Sequence, residues 1–384
     1  MRMIYQNWIA SSLVIFVVVT GLFQVSSIAE GRQTANYSQV VIALKNLFDN
    51  NPDLRNKFST GFASQPDTSF WKGKSIIDFY PFFEEWLHFN PRLSTTREYI
   101  NKFGEFYKLP HYKGNIEIAR KAIRDKRFAK WLKSFVKARG DYLSSSDSKS
   151  IVADWAREKS ATIGQYVVPK NGFTSFNDFF SRQIKVGARP IYAQDDASAL
   201  IAPADCDVWR NSSWLSNDSN VKVKGDDYNL VQLLGDEIIA SKYKNGEALV
   251  CFLNTDNYHR FHAPIAGVVT YRKDMDGLYF GMKGFTDHFH ESRRSALEIR
   301  SANGRHVAIS AVGIATISSV TLNKNVGTKV NKGDEIGKFE FGGSSLVILF
   351  EPGYLKSVIF DDVSAIYKFR STRVSMGQFL GRLE

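Results

Sequence analysis

Leu346-Val347-Ile348-Leu349-Phe350 is an unbroken apolar run of strand length near the end of the chain, and it sets the texture of everything after Pro190. Ala248-Leu249-Val250-Cys251-Phe252-Leu253 and Val307-Ala308-Ile309-Ser310-Ala311-Val312 have the same character. Turn signals divide such runs, at Asp274 to Gly277, Asn303-Gly304 and Lys332-Gly333-Asp334. Toward the N-terminus the period changes. From Tyr37 to about Val168, apolar residues recur at three- and four-residue steps, as in Val41, Leu44, Leu47 and Phe48 and again in Ile76, Phe79, Phe83 and Leu87. Pro52, Pro81, Pro91 and Pro110 mark helix boundaries or first turns, and Gly140 to Ser148 reads as a polar loop. A helical front and a β-rich back predict an α+β chain, with a helical region over 37–170 and a β-rich domain over 171–384.

The 384 residues suffice for two or three cores, and 43% of them are hydrophobic. Cys206 and Cys251 are the only cysteines, which excludes a disulfide framework and a cysteine-built zinc site and leaves at most one bridge. A net charge of +11 favours anionic partners. Most of that excess lies between Lys113 and Arg139, where ten bases face only Glu117 and Asp125. Ile116, Ile123, Phe128, Trp131, Leu132 and Phe135 share one face of this segment. Such a helix suits an anionic phospholipid or membrane surface; a solvated basic helix packing that face on its own core has the same pattern. No zinc finger or RNA-binding signature accompanies it, so nucleic acid is not an expected partner. At the N-terminus the apolar run Ile9 to Phe23 is fifteen residues long, short for a spanning helix, and Ser27-Ile28-Ala29 follows it. Residues 1–29 are therefore expected to be a signal peptide or a signal anchor, and the protein to be exported or anchored and membrane-associated.

Three segments carry groups suited to chemistry. Phe339-Glu340-Phe341-Gly342-Gly343-Ser344-Ser345 sets a bare glycine carbonyl beside a hydroxyl, although Gly-Gly-Ser is also a common turn. Asp256-Asn257-Tyr258-His259-Arg260-Phe261-His262 places two histidines three apart, with no cysteine or glutamate at a familiar zinc spacing, so no metal is expected there. Ala202-Pro203-Ala204-Asp205 supplies a carboxylate able to orient a histidine. His288 and His290, beside Asp287 and Glu291, read as surface or packing residues.

In this order the segments resemble the phosphatidylserine decarboxylase family, with its Tyr-His-Arg-x-His-x-Pro-x-x-Gly and Pro-x-Asp-Gly segments and its C-terminal Gly-Ser-Thr or Gly-Gly-Ser-Thr cleavage site. Phe176-Asn177-Asp178-Phe179-Phe180-Ser181-Arg182 and Gly187-Ala188-Arg189-Pro190-Ile191 resemble the segment that opens the family's domain, so the likeness spans about Phe173 to Glu351. Gly327 to Gly337 is similar to the hairpins of lipoyl- and biotin-carrier domains, without their tip lysine. Cys206 stands where the family has glycine, Ser345 where it has threonine, and His290-Glu291-Ser292-Arg293-Arg294 where many members read Asn-Glu-Arg.

The resemblance implies a pyruvoyl-dependent decarboxylase made as a self-cleaving proenzyme. Asp205 would orient His262, which would draw the proton from Ser344 for attack on the Gly343 carbonyl. The ester so formed would eliminate, leaving a covalent pyruvoyl group at 344, at the head of a chain of 41 residues that stays with the longer one. The pyruvoyl ketone would take the substrate amine as a Schiff base, and His259 would reprotonate the product carbon. The expected reaction converts phosphatidylserine to phosphatidylethanolamine and carbon dioxide, with no external cofactor. The helical lead, with Asn90-Pro91, is similar to that of related tryptophan decarboxylases, which makes a free amino acid the alternative substrate. A serine hydrolase would use the same residues, but Gly342-Gly343-Ser344-Ser345-Leu346 lacks the closing glycine of a nucleophile elbow. A non-catalytic lipid-binding relative would have no use for all three of Asp205, His262 and Ser344. The sequence leaves open a homo-oligomer.

Overall fold

The computed structural model describes residues 36–92, 105–106, 122, 124–158, 160–210, 221–223, 226–277, 292–313, 319–341, 344–359 and 372–384. It has the expected α+β character, with helices first and antiparallel sheets after them. The helical part contains α1 (Gln39–Asp49), α2 (Pro52–Ala63), α3 (Phe79–His88), α4 (Lys126–Leu143), α5 (Val152–Glu158) and α6 (Phe176–Phe180). Pro52 takes the first turn of α2, where a missing N–H costs nothing. The Asp125 side chain caps α4 by accepting from the Arg127 amide, and the guanidinium of Arg127 beside it holds the Asp125 carboxyl down at about 2.

The apolar stripes meet in an aromatic core. Phe58 packs on Phe48 and Phe128 with ring centroids 5.2 and 4.8 Å apart, and Phe83 meets Trp131 edge-on at 4.8 Å. Phe128, Trp131, Leu132, Phe135 and Val136 of α4 are all buried in this core. Among the described residues α4 therefore has no free apolar face to lay on a lipid surface; Ile116 and Ile123 lie outside them. Several of the helix charges are engaged as well: Arg127 pairs with Asp53 and Asp125, Lys133 with Asp276 and Lys137 with Asp141, and buried Arg139 donates to the carbonyls of Leu87 and Phe89. The expectation of a membrane-associated protein is corrected accordingly. Among the described residues no helix is long and apolar enough to cross a membrane, and the run Ile9 to Phe23 with the rest of 1–29 lies outside them. The polar loop expected from Gly140 is also displaced. The helix runs on to Leu143, because that side chain is fully buried, and Ser146–Ile151 is a 3-10 helix.

The strands are β1 (Ala199–Ile201), β2 (Cys206–Arg210), β3 (Val221–Val223), β4 (Asp226–Tyr228), β5 (Glu247–Leu253), β6 (Arg260–His262), β7 (Gly267–Met275) and β8 (Arg294–Arg300). They continue with β9 (His306–Gly313), β10 (Val320–Leu322), β11 (Lys329–Val330), β12 (Glu335–Phe339), β13 (Ser344–Phe350), β14 (Leu355–Val358), β15 (Thr372–Val374) and β16 (Phe379–Leu383). Eight form one sheet in the order β11-β7-β8-β9-β13-β5-β2-β15, and two three-stranded sheets, β10-β12-β6 and β1-β16-β14, accompany it. Leu346, Ile348 and Phe350 of β13 enter one apolar core, shared with Phe261, Ile336 and Leu380, while Val347 and Leu349 enter another against Leu233 and Tyr243. Burial on both faces explains why β13 reads as a continuous apolar run rather than an alternating one. Cys206 and Cys251 are free buried thiols; burial, with the Cys251 thiol as a further cause, pushes the Cys206 thiol up.

Candidate active site

Ser344 is the first residue of β13, an interior strand, and its backbone registers with Leu253 at the end of β5 and Gly313 at the end of β9. Gly342 and Gly343, the latter one half of the expected cleavage site, lie outside the described residues. The chain leaving Leu253 turns through Asn254 and Asn257 and reaches His259 six residues later. β6 then pairs antiparallel with β12, setting His262 opposite Glu335 and Arg260 opposite Lys338. The strand that leads to Ser344 therefore runs past His262 first and His259 second. The amide of Phe339 donates to the His259 carbonyl at 2.8 Å.

Both histidines are fixed. His259 is fully buried; its Nδ1 lies 3.0 Å from the Asn257 carbonyl and its ring stacks on Phe180 at 4.0 Å. His262 Nδ1 lies 2.8 Å from the Gly333 carbonyl, and its Nε2 lies 2.9 Å from the Tyr258 hydroxyl. A carbonyl only accepts, so Nδ1 carries the proton in each ring and Nε2 is the basic atom. The Tyr258 hydroxyl then donates to His262 Nε2. Burial holds the His262 imidazole below its ordinary value, which keeps the ring neutral. The Gly333 turn that supplies the carbonyl requires glycine: its φ is +86°, and a Cβ there would lie 2.5 Å from Ile191 Cδ1. The neighbouring Lys332 is buried, with Nζ on the carbonyls of Ala193 and Asp196. This lysine anchors the turn between β11 and β12, strands that pair with β7 and with β6 and β10 rather than with each other.

Asp205 follows β1, and the Pro203 carbonyl just before it accepts from the His262 amide at 2.8 Å. The carboxylate receives a two-pronged bond from Arg189 at 2.7 and 3.0 Å and a third from the Met376 amide at 2.9 Å. The structure thus brings the Asp205 segment, His259 and His262 together around β6. The described partners of the Asp205 carboxylate are Arg189 and Met376, and those of the His262 ring nitrogens are Tyr258 and Gly333. Arg189, Tyr258 and Asn177 had no role assigned from sequence, although all three stand inside the motifs. Arg189 is sixteen residues from Asp205, a separation that carries no periodic signal. Among the described residues no group of three or more His, Cys, Asp or Glu is arranged to hold a metal ion; His288 and His290 lie outside them.

The sequence profile described as phosphatidylserine decarboxylase matches residues 176–382. The chain is 33% identical over 229 residues to a phosphatidylserine decarboxylase proenzyme of Clostridium beijerinckii, covering 58% of this chain and 76% of that protein. It is 34% identical over 221 residues to one from Chlamydia trachomatis, covering 56% and 71%. Phosphatidylserine decarboxylase proenzyme 3 of Schizosaccharomyces pombe is 29% identical over 272 residues, 69% of this chain and 28% of that longer protein.

Proposed function

The chain belongs to the phosphatidylserine decarboxylase family, whose members are carboxy-lyases, and from that membership we propose that it converts phosphatidylserine to phosphatidylethanolamine and carbon dioxide after cutting itself between Gly343 and Ser344. The observation that carries the reading is the position of Ser344. It heads an interior strand whose neighbour, β5, runs directly into the segment bearing His259 and His262.

His262 is the base in the cut. Once the Tyr258 hydroxyl releases Nε2, the neutral ring takes the Ser344 hydroxyl proton. The oxygen attacks the Gly343 carbonyl carbon while the C–N bond breaks to leave an ester and a free amine. Elimination then releases the Gly343 carboxylate, and water displaces the nitrogen as ammonia. Asp205 completes the triad by biasing the ring electrostatically; to bond it directly, the carboxylate must release Arg189 and the ring must release the Gly333 carbonyl. A pyruvoyl group made from Ser344 supplies a carbonyl that draws electrons from the substrate's carboxyl-bearing carbon. The fold suits a group at that position: residues 344–350 register with β5 on one side and β9 on the other, so the new chain end stays anchored. His259, clamped by Phe180 and the Asn257 carbonyl, returns the proton to the product carbon through Nε2.

The test combines intact mass with carbon dioxide release. Wild-type protein should separate under denaturing conditions into two chains, the smaller beginning at 344 with a blocked end, and should release carbon dioxide from phosphatidylserine. Ser344→Ala should stay a single, inactive chain. A wild-type chain that remains whole and inactive overturns the proposal; release from free tryptophan alone overturns only its substrate.

A further inference from the structure

A cavity of about 580 Å³ opens between α4 and the β-rich domain, beside the segment that leads to Ser344. Lys130, Lys133 and Lys137 line one wall from successive turns of α4, and Arg293, Ser319 and Glu340 line the other. Four cations thus face two acids, Glu340 and Asp141. Both acids already have partners, Lys338 at 3.1 Å and Lys137 at 2.6 Å, and the second pair is exposed and readily exchanged. Among the described residues neither Lys130 nor Arg293 has a carboxylate within ion-pair distance, although Arg293 lies near enough to Asp274 to lower that carboxyl through its charge.

The cavity lies close to the reacting residue. The Arg293 carbonyl accepts from the Gly313 amide at 3.0 Å, and Gly313 registers with Ser344. Two inter-strand steps put the backbone of Arg293 about 10 Å from that of Ser344, within reach of an arginine side chain plus a small substrate. On the same wall Glu340 is four residues ahead of Ser344 in the chain. In a serine phosphodiester the phosphorus is three bonds from the carbon that loses its carboxylate. A site that binds this carbon at residue 344 must therefore have somewhere nearby for a phosphodiester anion.

We infer that this cleft holds the phosphodiester of the substrate, with Lys130, Lys137 and Arg293 as its cations. The helical region, through α4, then helps to select substrate. This inference rests on the lipid reading proposed above.

The test uses mature two-chain enzyme carrying Lys130→Gln, Lys137→Gln and Arg293→Gln together. A control carries Lys126→Gln, Lys149→Gln and Lys170→Gln, three exposed lysines outside the cleft. Carbon dioxide release is measured from short-chain phosphatidylserine and from the phosphate-free ester O-acetylserine. The cleft variant should lower kcat/KM for the phosphodiester about thirtyfold, mainly through KM, while the phosphate-free ester changes less than about threefold. The control should leave the ratio of the two unchanged. Equal losses on both substrates, no loss, or the same loss in the control would overturn the cleft assignment. If wild-type enzyme releases nothing from any phosphodiester, the lipid reading fails, and titration with inorganic phosphate decides the cleft. Binding by wild type that the cleft variant loses retains an anion site, and any other pattern rejects it.

Discussion

The amide of Phe341 donates to Asn177 Oδ1 at 3.2 Å, which ties the segment two residues ahead of Gly343 to helix α6. Asn177 Nδ2 continues the chain of bonds to Ser144 Oγ at 3.0 Å, and the Phe341 ring packs on Phe176 and Phe180 at 5.2 and 5.4 Å. A strand of the β-rich domain thus ends in the aromatic core of the helical region. Asn177→Ala removes the acceptor while leaving the ring contacts. Self-cleavage should slow about tenfold, the equivalent of one buried hydrogen bond, with a loss of only a few degrees in Tm. Unchanged cleavage kinetics on denaturing gels would show that this tether does not position the bond.

The two histidines should separate in function. His262→Ala should slow processing by about a hundredfold or more, since the serine loses its base. His259→Ala should still yield two chains but decarboxylate poorly. Rapid, complete processing in both variants would contradict these roles.

Arg189 holds the Asp205 carboxylate from a site where both side chains are largely buried. Arg189→Leu leaves that carboxylate short of its charged partner and should cost about 2–3 kcal/mol, while Arg189→Lys keeps the charge, loses the fork and should cost about half as much. Urea midpoints of the two variants in a Ser344→Ala background give the comparison. Equal stability of both with the parent would show that the Met376 amide alone suffices.

His262 also makes stability depend on pH. Its folded value lies below the ordinary imidazole value because the ring is buried. Between that folded value and about 6.5 the unfolded chain binds a proton that the folded chain refuses, so stability rises with pH through this window. The contribution is full above about 6.5 and is lost as pH falls toward the folded value. In single-chain Ser344→Ala protein, urea midpoints from pH 5 to 7.5 should climb more steeply with His262 present than after His262→Gln. Parallel curves would remove His262 as the source.

The β-rich half was legible because its strands are sandwiched between two cores, so that 248–253, 307–312 and 346–350 are apolar but for Ser310; each strand found there extends those runs by one or two residues. The helical stripes through Val41, Leu44 and Phe48 were legible for the complementary reason, one buried face. The basic helix misled because an apolar face looks the same in sequence whether it meets lipid or Phe83. Partners of the candidate site were illegible where they depend on long-range folding. Nothing in the spacing says that Gly333 offers its carbonyl to His262, or that Met376 offers its amide to Asp205.

β13 is flanked on both sides, and this bears on what a cut ahead of Ser344 leaves behind. Unpaired strand edges recruit other chains and seed aggregation. A break at the head of an interior strand makes a new terminus without making a new edge, because β5 and β9 keep their places against it. The processed protein should therefore be no more prone to strand-to-strand association than its uncut precursor.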